Sequence, residues 1–149
     1  MRHIERQIVQ LKEKILRVGT LVEEAISKSI TALINRDTAL AQRVMASDEE
    51  IDRMEVEVEE ECLKILALYQ PVAADLRFVV AALKINNDLE RMGDLAKNIA
   101  KRVAQLADEG PIELPAEIRT MATLAQEMVK QSLDAVVNGD PALAQRRRR

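Results

Sequence analysis

The sequence predicts an all-α protein: an antiparallel three-helix bundle followed by a fourth helix that begins a second, incomplete copy of the same unit. Three observations lead there. Apolar residues recur in alternating steps of four and three over three stretches of about thirty residues, the spacing of one helix face. The composition, 48% hydrophobic and 32% charged with four Gly, one Tyr, one Phe and no Trp, suits long amphipathic helices with a core of aliphatic side chains. Finally, NRDTALAQR at 35–43 returns as NGDPALAQR at 138–146, and the match runs backwards through Ser29 and Ser132, Leu21 and Leu124, and Thr20 and Thr123.

The first helix is expected from His3 to Asn35, with Ile4, Ile8, Leu11, Ile15, Val18, Val22, Ala25, Ser29 or Ile30, and Leu33 along its seam. Asp37 has the chemistry of an N-cap for the second. That helix carries Leu40, Val44, Ser47, Ile51, Met54, Val58, Cys62 and Ile65, and should stop near Tyr69 because Pro71 disfavours helical geometry at Gln70. Pro71 suits the first turn of the third helix, where Asp75 adds favourable charge near the N-terminus. The third seam runs from Phe78 through Ala82, Ile85, Leu89, Met92, Ala96, Ile99 and Val103 to Leu106. Helices matched in length, each roughly 45 Å at 1.5 Å per residue, bury all three stripes in an up-down-up bundle.

Residues 1–107 therefore form the first unit and 108–115, with Gly110, Pro111 and Pro115, a linker. Residues 116–149 are the first helix of a second unit, running from Ala116 to Val137, with an Arg-rich end. Ile118, Met121, Leu124, Met128 and Val136 are its candidate core residues. A lone amphipathic helix leaves a stripe to cover, so it should dock on the first bundle or on another copy, and a homo-oligomer, a homodimer in the simplest case, is expected.

Composition also excludes functions. The net charge is −3, and four of the 22 basic residues are Arg146–Arg149, so the rest of the chain stands at −7 and does not read as a nucleic-acid binder. The longest aliphatic run, FVVAAL at 78–83, is far too short to span a membrane, which points to the cytoplasm. Cys62 is the single cysteine, a small buried hydrophobe by its spacing. With one histidine, His3, no Glu-x-x-His di-iron signature and no nucleophilic triad can be assembled. No catalytic residues are expected, and the chain reads as a non-enzyme.

Acidic residues carry the remaining signal. Asp48 and Asp52 on the second helix, and Glu90 and Asp94 on the third, are i,i+4 pairs. An antiparallel turn at Gln70-Pro71 sets residues whose numbers total about 141 at one level, so the two pairs lie level. At roughly 100° per residue, both pairs also flank their seams in the same sense. One outer groove can hold all four carboxylates, with Asn87, Asn98 and Glu55 extending it. Converging carboxylates repel without a cation between them. Oxygen ligands suit Mg²⁺, Mn²⁺ or iron better than a closed structural zinc site, and Fe, Mn, Mg or Zn is the divalent metal expected. The alternative is a solvated acidic face neutralised by Arg53 and Arg91. Gly93, mid-helix at a cost of about 1 kcal/mol relative to Ala, reads as a point of close approach by a helix or ligand.

The run QPVAADLRFVVAALKINNDLERMGDLAKNIAKR at 70–102, with the upstream Asp48-x-x-Ile51-Asp52 element and the tandem repeat, resembles the PhoU family. The resemblance spans residues 3–145 and implies a regulator of phosphate uptake and phosphate-starvation signalling. By resemblance it contacts the phosphate-transporter ATPase and a membrane-bound sensor histidine kinase, which would recruit it to the inner face of the membrane. By resemblance, the E/D-x-x-x-D motifs that carry metal in some family members fall on Asp48/Asp52 and Glu90/Asp94. The departure is at the C-terminus, where a second repeat would continue into its own acids: a cut chain or a shifted reading frame is expected to explain Arg146–Arg149, the alternative being a basic tail for acidic partners or an anionic membrane surface. The competing reading is a carboxylate-rich metal-binding bundle with a metal-dependent or purely structural role.

Overall fold

The computed structural model describes residues 3–107 and 116–137, and among them every regular element is helical: α1 (His3–Asn35), α2 (Thr38–Tyr69), α3 (Ala73–Gln105) and α4 (Ala116–Val137). The linker at 108–115 and the Arg-rich end lie outside the described residues.

Asp37 makes the first reversal by two bonds. Its backbone N–H donates to the Ala32 carbonyl at 2.9 Å, and its carboxylate accepts from the Leu40 N–H at 3.0 Å. One residue thus closes α1 and caps α2, with Arg36 at φ 54° turning the chain between them. The second reversal differs from expectation. Pro71 precedes α3 instead of entering its first turn: Gln70 is left-handed (φ 42°), Val72 is the extended N-cap without a side-chain bond, and Ala73 starts the helix. The residue before a proline avoids the right-handed helical region, so the turn is completed outside the helix.

Leu11, Ile15, Val18 and Val22 of α1 meet Val58 and Ile65 of α2 and Ile85 and Leu89 of α3 in one core from which solvent is excluded. Cys62 lies within it, and burial pushes its thiol up to about 12. Fully burying aliphatics of this size stabilises by roughly 1.5–3 kcal/mol each.

α4 lies along α1 in the same chain and meets α3 only at an edge. The stripe it buries is only partly the one anticipated: Val136 is in place, and the Ile118 side chain lies outside the described residues. Val129, Leu133 and Val136 are buried, whereas Met121 and Leu124 stand 67% and 53% exposed and Met128 is half-buried. The physical reason lies in the repeat. Met121 and Met128 correspond to Val18 and Ala25, which are buried in the core of the first unit, whereas α4 packs mainly on α1 and touches α3 only at an edge. The stripe that meets α1 is spaced four and three.

Candidate functional site

Residues 41, 48, 55 and 62 of α2 are seven apart, so they share a stripe beside Val44, Ile51, Val58 and Ile65. Two of the four are acids. Asp48 and Glu55 are therefore drawn under the surface, 6% and 4% exposed, with Ala41 and Cys62 above and below. The sequence expectation placed Asp48 on the groove flank and Glu55 only as an extension of it. The heptad phase was the signal that could have shown both to be buried.

Opposite them, α3 presents Asp94, Glu90 and Lys97 from exposed positions. Carboxylate oxygens of Asp48, Asp52 and Asp94 lie within 4.8 Å of one another. Glu90 is not part of this converging set, but its charge bears on Glu55. Asn87 and Asn98 are exposed on α3. The groove is thus built from three close carboxylates, a buried fourth and an outlying fifth.

Its electrostatics follow from burial and crowding. Burial pushes the Glu55 carboxyl up to about 8, and the neighbouring Glu90, Asp52, Asp94 and Asp48 add to the effect. Glu55 Oε2 is buried without a hydrogen-bond partner. Asp52 is also raised, first by burial and then by the charge of the adjacent Asp48. The neutralising cation is neither of the arginines expected. Lys97 Nζ sits 3.1 Å from Asp48 Oδ2, and Arg91 instead lines a cavity of about 250 Å³ with Asp88, Met92, Leu95 and Met128 between α3 and α4.

Asn86, which the sequence did not single out, holds the groove's floor. It is 2% exposed and donates from Nδ2 to the Glu55 carbonyl at 2.9 Å, tying α3 to α2 beneath the acids. Residues 55 and 86 total 141, so this bond joins the residues that the turn places level. Gly93 is buried here too, but a Cβ on it would meet Glu55 Oε1, Ile51 Cγ2 and Val22 Cγ2 at 3.8 Å, ordinary contact with room for a methyl group.

The donor set is all oxygen and suits a hard divalent cation. At metal–oxygen distances of roughly 2.0–2.2 Å, two ligand atoms are at most about 4.4 Å apart, so the three carboxylates need close in only slightly. The residues present fit such an ion, with Glu55 Oε2 as a further oxygen in reserve.

The PhoU domain model matches residues 15–103, which takes in α2, nearly all of α3 and the whole acidic groove. The chain belongs to the PhoU family. A phosphate-specific transport system accessory protein PhoU homolog of Aquifex aeolicus is 40% identical over 141 residues, which are 95% of this chain and 64% of that relative. The crystal structure of PhoU from Pseudomonas aeruginosa superposes with a TM-score of 0.88 at 37% identity, covering 97% of this chain and 69% of that one. The phosphate transport system regulatory protein PhoU from Streptococcus pneumoniae does so with a TM-score of 0.78 at 33% identity, covering 89% and 62%. The chain thus spans less than two thirds of the length of the curated PhoU relatives it matches, 64% and 57% for those of Aquifex aeolicus and Pseudomonas putida. Among the described residues, no helix is long and apolar enough to cross a membrane.

Proposed function

We propose that this chain is a non-enzymatic regulator of phosphate uptake and of the response to phosphate starvation. It acts at the cytoplasmic face of the membrane as an adaptor between the phosphate transporter's ATPase and a sensor histidine kinase. The observation that carries this reading is the likeness of the chain to proteins named as accessory or regulatory parts of phosphate transport. A rigid bundle regulates by differential affinity: it shifts a partner's conformational balance by binding one state more tightly. On this reading residues 1–107 are one complete PhoU unit, 108–115 a linker and 116–149 the start of a second.

Asp48, Asp52 and Asp94, with Glu55 and Glu90 beside them, would hold Fe, Mn, Mg or Zn. Such an ion supplies fixed positive charge, which relieves carboxylate repulsion and stiffens the α2–α3 face that a partner meets. Met121 and Leu124 give the chain an apolar face for a second copy.

The test is complementation. In cells lacking their own phosphate accessory protein and grown in ample phosphate, a starvation reporter is active. Expression of this chain is expected to lower it, and the Asp52→Asn/Glu90→Gln variant to lower it less. A reporter unchanged by the parent chain, at matched protein levels, would rule out regulation by this chain alone.

A further inference from the structure

Resting on the metal reading above, we propose that Lys97 is a tethered cation that competes with the metal: its ammonium holds Asp48 in the metal-free protein and must withdraw before a divalent ion can bind.

Lys97 is three residues beyond Asp94 and seven beyond Glu90, so all three share one face of α3. Its Nζ reaches across to α2 and stands 3.1 Å from Asp48 Oδ2. Asp48 is the deepest member of the converging set, its side chain 7% exposed, so it has little freedom to serve two cations from two directions. A metal bonded to Asp48 and an ammonium on the same carboxylate would lie within a few ångströms, and two positive charges so close repel strongly.

Withdrawal is easy. The Lys97 side chain is 47% exposed on a flexible four-carbon stem, so its ammonium can swing out and regain full hydration. Asp48 and Asp52, and Asp94 across from them, all favour the charged form of Lys97. Glu55 supplies an independent pointer to a cation beyond Lys97. It is 4% exposed, its Oε2 has no hydrogen-bond partner, and its Oε1 end lies against Gly93, next to Asp94. One monovalent ammonium leaves this acid unserved, whereas an ion of higher charge bound by more than one carboxylate would not.

The consequence is selectivity and reversibility. Monovalent ions lack the charge density to displace the lysine. A divalent ion can, but the displacement offsets part of its affinity, so uptake stays responsive to its concentration.

The experiment compares the chelator-treated parent chain with Lys97→Gln and with Lys101→Gln, which removes the same charge from an exposed position one turn further along α3. Calorimetric titration uses Mn²⁺ alone, and thermal unfolding is followed with and without it. Lys97→Gln is expected to bind Mn²⁺ about tenfold more tightly, to melt lower than the parent without metal, and to regain the difference with it. Lys101→Gln should bind like the parent. Equal or weaker Mn²⁺ binding by Lys97→Gln would overturn the competition while leaving the metal site in place. Equal tightening in both variants would reduce Lys97 to a general charge effect and also overturn it. Absence of Mn²⁺ uptake by every variant would remove the metal reading itself, and the competition with it.

Discussion

The side chain of Leu133 on α4 fills the space where a side chain at Gly19 of α1 would stand: a Cβ built there would collide with its Cγ, Cδ1 and Cδ2 atoms. Gly19, mid-helix and buried, thus lets α4 approach the α1 backbone closely. Gly19→Val should dislodge α4 while the three-helix core persists. Hydrogen exchange is expected to show α4 amides losing protection with α1–α3 amides nearly unchanged, and Leu133→Ala should cost about 2 kcal/mol. Undiminished protection of α4 in Gly19→Val would contradict this packing.

Glu55 makes stability depend on pH. Its folded-state value of about 8 lies above the ordinary 4.5, so between those values the folded chain holds a proton that the unfolded chain has lost. Stability therefore falls as pH rises from about 4.5 to about 8 and levels off above. The slope approaches at most about 1.4 kcal/mol per pH unit. Urea unfolding at pH 5, 6, 7 and 8 should trace this fall, and Glu55→Gln should flatten it and be the more stable protein at pH 8.

Asn86 ties α2 to α3 but leaves its Oδ1 buried without a partner. Asn86→Leu removes one hydrogen bond and one orphaned acceptor together, and its net effect on stability should stay within about 1 kcal/mol. Asn86→Asp places a carboxylate against the Glu55 carbonyl among other acids and should cost more than about 3 kcal/mol at pH 7, a loss relieved on acidification. Equal stabilities of the two variants at pH 7 would show that Asn86 is not held in this environment.

Cys62 is fully buried, and its thiol is raised to about 12. A thiol-specific reagent at pH 8 should modify it only as fast as the chain opens and at once in denaturant. Rapid labelling of the native protein would contradict its place in the core.

The exposed Met121 and Leu124 lie on the repeat-equivalent of α1's inward side. The double substitution Met121→Glu/Leu124→Glu should leave helicity and melting temperature nearly unchanged while lowering the molecular weight seen by light scattering to that of a monomer. A parent chain that is already monomeric at high concentration would remove the expected self-association.

Much was legible in the sequence because it depends on local spacing. The 3-4 periodicity and the capping chemistry of Asp37 set the helix types and most of their ends, and Asp48, Asp52 and Asp94 could be placed together by helix phase and one antiparallel turn. Three-dimensional packing settled what periodicity leaves open. Glu55 and Asp48 belong to a heptad stripe of α2 whose phase the sequence displays, but it is the fit of α3 against that stripe that selects Asn86, not its neighbour Asn87, as the residue beneath. Lys97 pairs with Asp48 because a four-carbon stem spans the gap between helices, a reach that spacing along one helix does not display. The choice of α4's buried stripe was likewise tertiary. A helix with apolar residues on more than one side turns inward the side that finds a matching surface, and Gly19 supplies that surface for Leu133.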